Sequence, residues 1–286
     1  MSNPDGPMQQ HHFLMRRLHS LTGIVPVGVF LIMHLTTNST IAWGGLNSRA
    51  DKEGFGWMDR AIATFQHEVE FINNMPLLLL IEITLWSSIA FHSILGVYYA
   101  MSGKANNGSY KYGGNTRYFL QRLTGYFGIF FIFYHVATLR WGWTFLVPGG
   151  AKWSHEYASS TLAAALQGST EGMQVSGFVI SLFYFIGVTA LVFHFANGLW
   201  TAAITWGFTI SRKAQQRWGF ACAGLGAGLM VLAWASVIGF ATLDYDRARA
   251  VEEAMHSGTH PVEIHDEMHD ETHAETAAIE HTNTDG

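Results

Sequence analysis

Cysteine and charge are the two features that this sequence has little of. The 286 residues include one cysteine, Cys222, and only 13% of them are charged. A single thiol excludes an iron–sulfur cluster held by this chain, a c-type haem attachment and an internal disulfide. The scarcity of charge beside 49% hydrophobic residues is the composition of an integral membrane protein.

Long apolar runs are what the sequence has in abundance. About 20 apolar residues cross the hydrocarbon of a bilayer as a helix. Five segments reach this length: Leu18–Ala42, Leu77–Met101, Tyr118–Val147, Val175–Thr209 and Trp218–Leu243. Because lipid admits only helices and closed barrels, we predict an all-α bundle of five transmembrane helices, with one membrane domain over residues 1–243.

Four of the predicted spans each contain a histidine far from their ends: His34, His92, His135 and His194. An imidazole in hydrocarbon is costly unless something binds it. No carboxylate or thiolate accompanies the four, which favours two bis-histidine haems over zinc or a di-iron centre. The haem would be b-type because covalent attachment is excluded. The alternative, core histidines bonded to neighbouring helices, is weaker for the set than for any single member.

Depth in the membrane sorts these histidines into pairs. At 1.5 Å per residue, His34 and His135 lie roughly 10 and 16 Å from the outer ends of their spans. His92 and His194 lie about 22 and 28 Å from theirs. We predict that His34 and His135 bind the iron of an outer haem, and His92 and His194 that of an inner haem stacked with it.

Small residues recur near the four ligands. Gly96 and Gly198 follow the inner ligands by one helical turn, and Gly28 and Gly128 precede the outer ligands by about two turns. We interpret them as room for a flat porphyrin; the alternative is the ordinary close packing of membrane helices.

Several stretches carry a family resemblance. They are Arg16-Arg-Leu-His-Ser20 with the Leu-Thr-Gly that follows, Ile-Met-His34-Leu, His92-Ser-Ile-Leu-Gly-Val-Tyr, Gln121-Arg-Leu-Thr-Gly, and Phe193-His-Phe-Ala-Asn-Gly-Leu-Trp200. Over about Phe13 to Phe240 the chain resembles the five-helix, two-haem cytochrome b subunit of succinate dehydrogenase and fumarate reductase. The resemblance implies the same two ligand pairs. A longer first outer connection, Trp43 to Met75, and the residues beyond Leu243 depart from it.

The resemblance implies a membrane anchor that passes electrons between a cytoplasmic iron–sulfur subunit and quinone, with menaquinone expected. A flavoprotein subunit would hold the dicarboxylate site, and lipid rather than nucleic acid would be the other partner. Lysine and arginine cluster at the N-terminus and at the second and fourth connections. By the positive-inside rule we expect a multi-pass protein of the bacterial cytoplasmic membrane, with its N-terminus in the cytoplasm and its C-terminus outside.

Haem propionates and quinone need further polar groups. Donors near the membrane edges bind propionates, so we predict His19, Ser20 and Arg122 for the inner haem. Arg140 is predicted for the outer haem, with a snorkelling cation as its alternative. Glu70 and Glu68 are predicted to transfer protons to quinone, although a solvated helix face explains these two carboxylates equally well.

The segment 244–286 is a break in composition. It holds six histidines, many acids and few large apolar residues. We predict a disordered acidic tail that adds nothing to the membrane domain.

Two other functions fit the same histidines. One is the cytochrome b subunit of a membrane hydrogenase or formate dehydrogenase. The other is a transporter that uses intramembrane histidines for a metal ion or protons.

Overall fold

The structure, a computed structural model, describes residues 11–47, 55–102 and 113–258. Within these ranges the chain is helical and forms no strand. The α-helices are α1 (His12–Ile24), α2 (Pro26–Trp43), α3 (Trp57–Asn73), α4 (Leu78–Ser102), α5 (Gly113–Leu139), α6 (Ala158–Gln167), α7 (Val175–Thr205), α8 (Arg212–Ala241) and α9 (Tyr245–Ser257). The all-α prediction is therefore confirmed for the described residues.

Helices α1 and α2 follow one another with only Val25 between them. Pro26 has no N–H to donate to the preceding turn, which interrupts the hydrogen-bond ladder here. Val25 keeps α-helical dihedral angles, and its N–H still bonds the carbonyl of Leu21. The two helices therefore form one long apolar segment, Phe13–Leu46.

Among the described residues, four helical segments are long and apolar enough to cross a membrane. They are Phe13–Leu46, Leu78–Ser102, Val175–Thr205 and Arg212–Ala241. Four of the five predicted spans are thus reproduced by length and composition. The third differs: α5 ends at Leu139, and the predicted end at Val147 is wrong because Arg140–Val147 forms turns and a 3-10 helix.

The chain divides into two compact units. Unit 1 comprises Met1–Thr36, Met75–Ala137 and Leu182–Trp234, and unit 2 comprises Thr37–Asn74, Thr138–Ser181 and Ala235–Gly286. Helices α2, α5, α7 and α8 each contribute residues to both units. All four predicted haem ligands belong to unit 1.

Unit 1 has the surface expected of a protein in lipid. Its buried core includes Leu35, Val192, Leu229 and Ala233, contributed by α2, α7 and α8. Large apolar side chains also point outward from its helices: Ile94 is 69% exposed and Phe130 is 72% exposed. Large apolar side chains exposed in this way are unfavourable in water and favourable in a bilayer.

Unit 2 contains three shorter helices, α3, α6 and α9, which pack against one another. Residues Ala248, Ala250, Val251, Glu252 and Ala254 of α9 are buried. The prediction that everything after residue 243 is disordered is therefore wrong for Tyr245–Ser257. Positions 259–286 of the predicted tail lie outside the described residues.

Candidate functional site

The predicted inner ligands, His92 on α4 and His194 on α7, face each other in unit 1. Their ring centroids are 6.1 Å apart and their planes differ by 82°. Two imidazoles bound to one metal ion at about 2.0 Å each would have centroids roughly 6 Å apart. The separation is therefore one at which both imidazoles could bind the same iron.

Each of the two rings contacts a backbone carbonyl through its Nδ1 atom. His92 Nδ1 lies 2.8 Å from the carbonyl oxygen of His19, and His194 Nδ1 lies 3.0 Å from that of Gln121. A carbonyl only accepts, so each Nδ1 carries the proton and donates it. Each Nε2 then keeps its lone pair, as a metal-ligating histidine requires.

Two glycines make these contacts possible. A Cβ at Gly23 would lie 2.5 Å from His92 Cε1, and a Cβ at Gly125 would lie 3.0 Å from His194 Cε1. Both glycines end a Leu-Thr-Gly sequence, four residues after the carbonyl that accepts from the histidine. The repeated tripeptide thus lets His92 pack against α1 and His194 pack against α5.

The predicted outer ligands, His34 on α2 and His135 on α5, form the second pair in unit 1. Their centroids are 5.7 Å apart with an interplanar angle of 82°. Phe30 stacks on His34 at 5.2 Å, and Tyr184 meets the edge of His135 at 5.9 Å. Aromatic rings therefore lie against both members of this pair.

The donor set fits haem better than a bare metal ion. Across the described ranges, no group of three or more His, Cys, Asp or Glu side chains is placed to hold a metal. Paired imidazoles are sufficient for iron in a porphyrin, since the protein supplies only its axial ligands. Haem b is the group that these four residues suit.

The four glycines that we interpreted as room for porphyrin face protein side chains instead. A Cβ at Gly96 would lie 3.2 Å from His19 Cε1, and one at Gly198 would lie 3.4 Å from Gln121 Nε2. Gly28 similarly meets Phe195, and Gly128 meets Leu191. These contacts support the alternative interpretation, in which the glycines let helices pack closely.

The predicted propionate donors near the inner pair already have protein contacts. His19 stacks on His92 with centroids 4.1 Å apart. Ser20 Oγ accepts from Trp206 Nε1 at 2.9 Å, and Arg122 donates to the carbonyl of Ala100. His19 thus touches an inner ligand through its own side chain.

The remaining predicted residues lie in unit 2. Arg140 is exposed just after α5, and Glu68 is exposed on α3. Glu70 is half-buried on the same helix, where its carboxylate accepts from Gln66 Nε2 at 3.3 Å. The structure thus separates the predicted carboxylates by environment: Glu70 has a side-chain hydrogen bond to the protein and Glu68 is solvated.

Sequence reasoning missed the polar side chains around His194. Gln121, Asn197 and Arg117 are linked by hydrogen bonds within unit 1. Gln121 and Asn197 both belong to stretches that carry the family resemblance, and this was the available signal.

The described residues combine membrane-length helices with two close histidine pairs in one unit, an arrangement that suits a membrane cytochrome b. No protein-family model matches the chain. It is 32% identical over 206 residues to the succinate dehydrogenase cytochrome b558 subunit of Bacillus subtilis (strain 168), a match that covers 71% of this chain and 85% of that protein.

That similarity shows the family: the chain belongs to the cytochrome b subunits of succinate dehydrogenase. Its function is that of the membrane-anchor cytochrome b of a succinate:quinone oxidoreductase, as the sequence motifs predicted. The hydrogenase, formate dehydrogenase and transporter alternatives are set aside accordingly. The subunit is part of an enzyme complex, and succinate itself is not its substrate.

Proposed function

We propose that this chain binds two haems b, with His34 and His135 as axial ligands of one and His92 and His194 as ligands of the other. The observation that supports this most directly is the facing of the rings at 5.7 and 6.1 Å, both near perpendicular. The Nδ1–H bonds of His92 and His194 to carbonyls add support, because they leave Nε2 available.

The residues of this chain hold and orient the group, and haem, when bound, supplies one-electron transfer. His19, Ser20 and Arg122 are proposed as donors toward the propionates on the inner side, and Arg140 on the outer side. The chain would thereby carry electrons between an iron–sulfur subunit and quinone, as membrane cytochromes of this family do.

Helix α5 is proposed as the fifth transmembrane helix. It has 27 residues, which at 1.5 Å per residue is about 40 Å. Its polar side chains have partners in unit 1: Arg117 bonds Asn197, and Gln121 bonds both Asn197 and the carbonyl of His194. Polar groups paired in this way are tolerated at membrane depth.

The partners and topology follow from the family and from charge. We propose a flavoprotein and an iron–sulfur subunit on the cytoplasmic face, menaquinone as the electron acceptor or donor, and a cytoplasmic N-terminus. Glu70, with Glu68 as second choice, is proposed to exchange protons with quinone.

Spectroscopy of the purified intact complex tests the haem assignment. We expect two low-spin b haems per chain in the reduced-minus-oxidised spectrum. His34→Ala and His135→Ala should remove one component, and His92→Ala and His194→Ala the other. His155→Ala, a change at an exposed residue of unit 2, is the control and should keep both. If His34→Ala and His92→Ala removed the same component, the pairing would be wrong.

A further inference from the structure

A chain of side-chain hydrogen bonds ends at the inner ligand His194. Arg117 Nε donates to Asn197 Oδ1 at 2.9 Å, and Asn197 Nδ2 donates to Gln121 Oε1 at 2.7 Å. Gln121 Nε2 in turn donates to the backbone carbonyl of His194 at 3.1 Å. All of these residues belong to unit 1.

The direction of every bond in this chain is set by Arg117. A guanidinium has only donors, so Asn197 must present its oxygen to it and its amide nitrogen to Gln121. Gln121 must then turn its own nitrogen toward the His194 carbonyl. Asn197 is only 4% exposed, and hydrogen-bonded dipoles aligned in such surroundings polarise one another.

Packing fixes the two ends of the chain. The Arg117 guanidinium lies over the ring of Trp200 at 4.0 Å from its centroid. The Gln121 side chain lies beside Gly198, where a Cβ would be 3.4 Å from Gln121 Nε2.

The second inner ligand lacks this support. His19 stands where Gln121 does in the repeat, because each lies four residues before the glycine of Leu-Thr-Gly and each faces the glycine four residues after a ligand. His19 has no amide and stacks its ring on His92 at 4.1 Å. The two ligands therefore share the carbonyl contact and differ in their side-chain environment.

We propose that Gln121 and Asn197, anchored by Arg117, are positioning residues that fix the orientation of the His194 ring and raise the reduction potential of the inner centre. The inference rests on the proposed role of His194 as an iron ligand. A cation, and aligned donors that end on the backbone carbonyl of the ligand residue, favour the reduced, less positive state of the site.

The test uses the intact complex with Gln121→Leu, Asn197→Leu and the double variant. The backbone carbonyl that accepts from His194 Nδ1 remains in all three. We expect two haems per chain, a changed EPR g-anisotropy for one low-spin centre only, and a lower midpoint potential for that centre. Because both residues act through one chain, the double variant should shift the potential no further than the larger single change.

Matched variants give the experiment its controls. Thr205 is an exposed residue of α7, the helix that carries Asn197, and its hydroxyl donates to the carbonyl of Thr201. Thr205→Val should leave both centres unchanged. Asn197→Asp keeps the acceptor for Arg117 but cannot donate to Gln121. Should the leucine variants fail to assemble, this near-isosteric change decides the question by its EPR spectrum.

Unaltered g-values and potentials in Gln121→Leu and Asn197→Leu, or in Asn197→Asp, would overturn the proposal. Additive shifts in the double variant would also overturn it, since they would mean two independent effects. A wild-type complex with one haem, or an inner signal that survives His194→Ala, would instead contradict the proposed function.

Discussion

At the scale of single residues, a glycine decides whether each inner histidine can reach its carbonyl. His92 and His194 occupy the positions where Gly23 and Gly125 lack a side chain. The gap is tighter at Gly23, where a Cβ would lie 2.5 Å from Cε1 and 2.6 Å from Nδ1 of His92. A backbone gap, rather than a polar side chain, is what orients the ligand there.

Gly23→Ala should therefore displace His92 and weaken or abolish one haem component, because the nearest atoms belong to a ring held at 2.8 Å from a carbonyl. Gly125→Ala should have a smaller effect, since the nearest atom of His194 is 3.0 Å away. The measurement is the haem content and reduced-minus-oxidised spectrum of the purified complex. Gly224→Ala, with no atom within 4 Å of the new Cβ, is the control. Equal spectra for all three variants would refute the argument.

A second residue-scale feature is the buried carboxylate of Glu252 in unit 2. Its Oε1 accepts from the backbone N–H of Ser159 at 2.6 Å and of Ser160 at 3.2 Å, at the start of α6. Its Oε2 accepts from Ser160 Oγ at 2.5 Å. Burial raises the pKa of Glu252 despite these donors and the nearby Arg249.

A raised pKa gives a definite pH dependence. The folded protein binds the Glu252 proton more tightly than the unfolded chain does, so protonation of Glu252 stabilises the folded state. This contribution to the free energy of unfolding is complete below the ordinary glutamate pKa of about 4.3. It is lost as the pH rises through the higher folded pKa. Glu252→Gln should remove this pH dependence from a plot of the thermal stability of the complex against pH. Parallel profiles for wild type and variant would show that Glu252 does not titrate in this way.

At the scale of helices, small side chains and buried polar bonds hold α3, α6 and α9 together in unit 2. Ala61, Ala158, Ala163 and Ala248 are fully buried. The Asp59 carboxylate accepts from Arg247 Nε at 2.7 Å and from Nη2 at 2.6 Å, which ties α3 to α9. Each contact is specific, so the unit depends on the presence of all three helices.

Truncation separates α9 from the residues that follow it. Ending the chain after Gly258 should leave stability and haem content unchanged. Ending it after Arg249 removes Val251 and Glu252 and leaves the N–H groups of Ser159 and Ser160 without their acceptor, at about 1–3 kcal/mol each. Thermal unfolding of the two truncated complexes measures the difference. Wild-type stability after the longer truncation would mean that α9 contributes nothing to unit 2.

At the scale of the whole molecule, the ligand histidines and the predicted quinone carboxylates belong to different units. All four histidines are in unit 1, and Glu68 and Glu70 are in unit 2. Glu70 is 41% exposed, with His67 Nδ1 3.9 Å from its Oε2. A carboxylate with both solvent access and hydrogen-bonding neighbours can exchange protons, which keeps Glu70 as the preferred candidate.

Glu70→Gln should lower quinone-linked succinate oxidation by at least about tenfold, since a positioned acid or base contributes this much or more. Both haem spectra and dye-linked succinate oxidation should stay unchanged. Glu68→Gln is the matched control on the same helix and should have the smaller effect. Full quinone-linked turnover in the double variant would exclude this segment from the reaction.

The sequence by itself determined the helical class, four of the spans and the family, and it predicted the two histidine pairs whose rings lie close together in unit 1. These properties depend on local composition and on the constant rise of a helix, so the depth of His34 or His194 can be estimated from its own segment. The overestimated third span did not change the predicted pairing, because His135 lies nearer an end of its helix than His92 or His194 does.

Only the tertiary structure decided what surrounds the ligands. His92 meets the carbonyl of His19 across 73 positions of sequence, and Gln121 meets His194 across another 73. The order of α9 likewise depends on Ser159 and Ser160, more than 90 residues away. Such contacts arise when separate helices pack, and alanine-rich faces such as that of α9 bury too little apolar surface to be recognised before their partners are known.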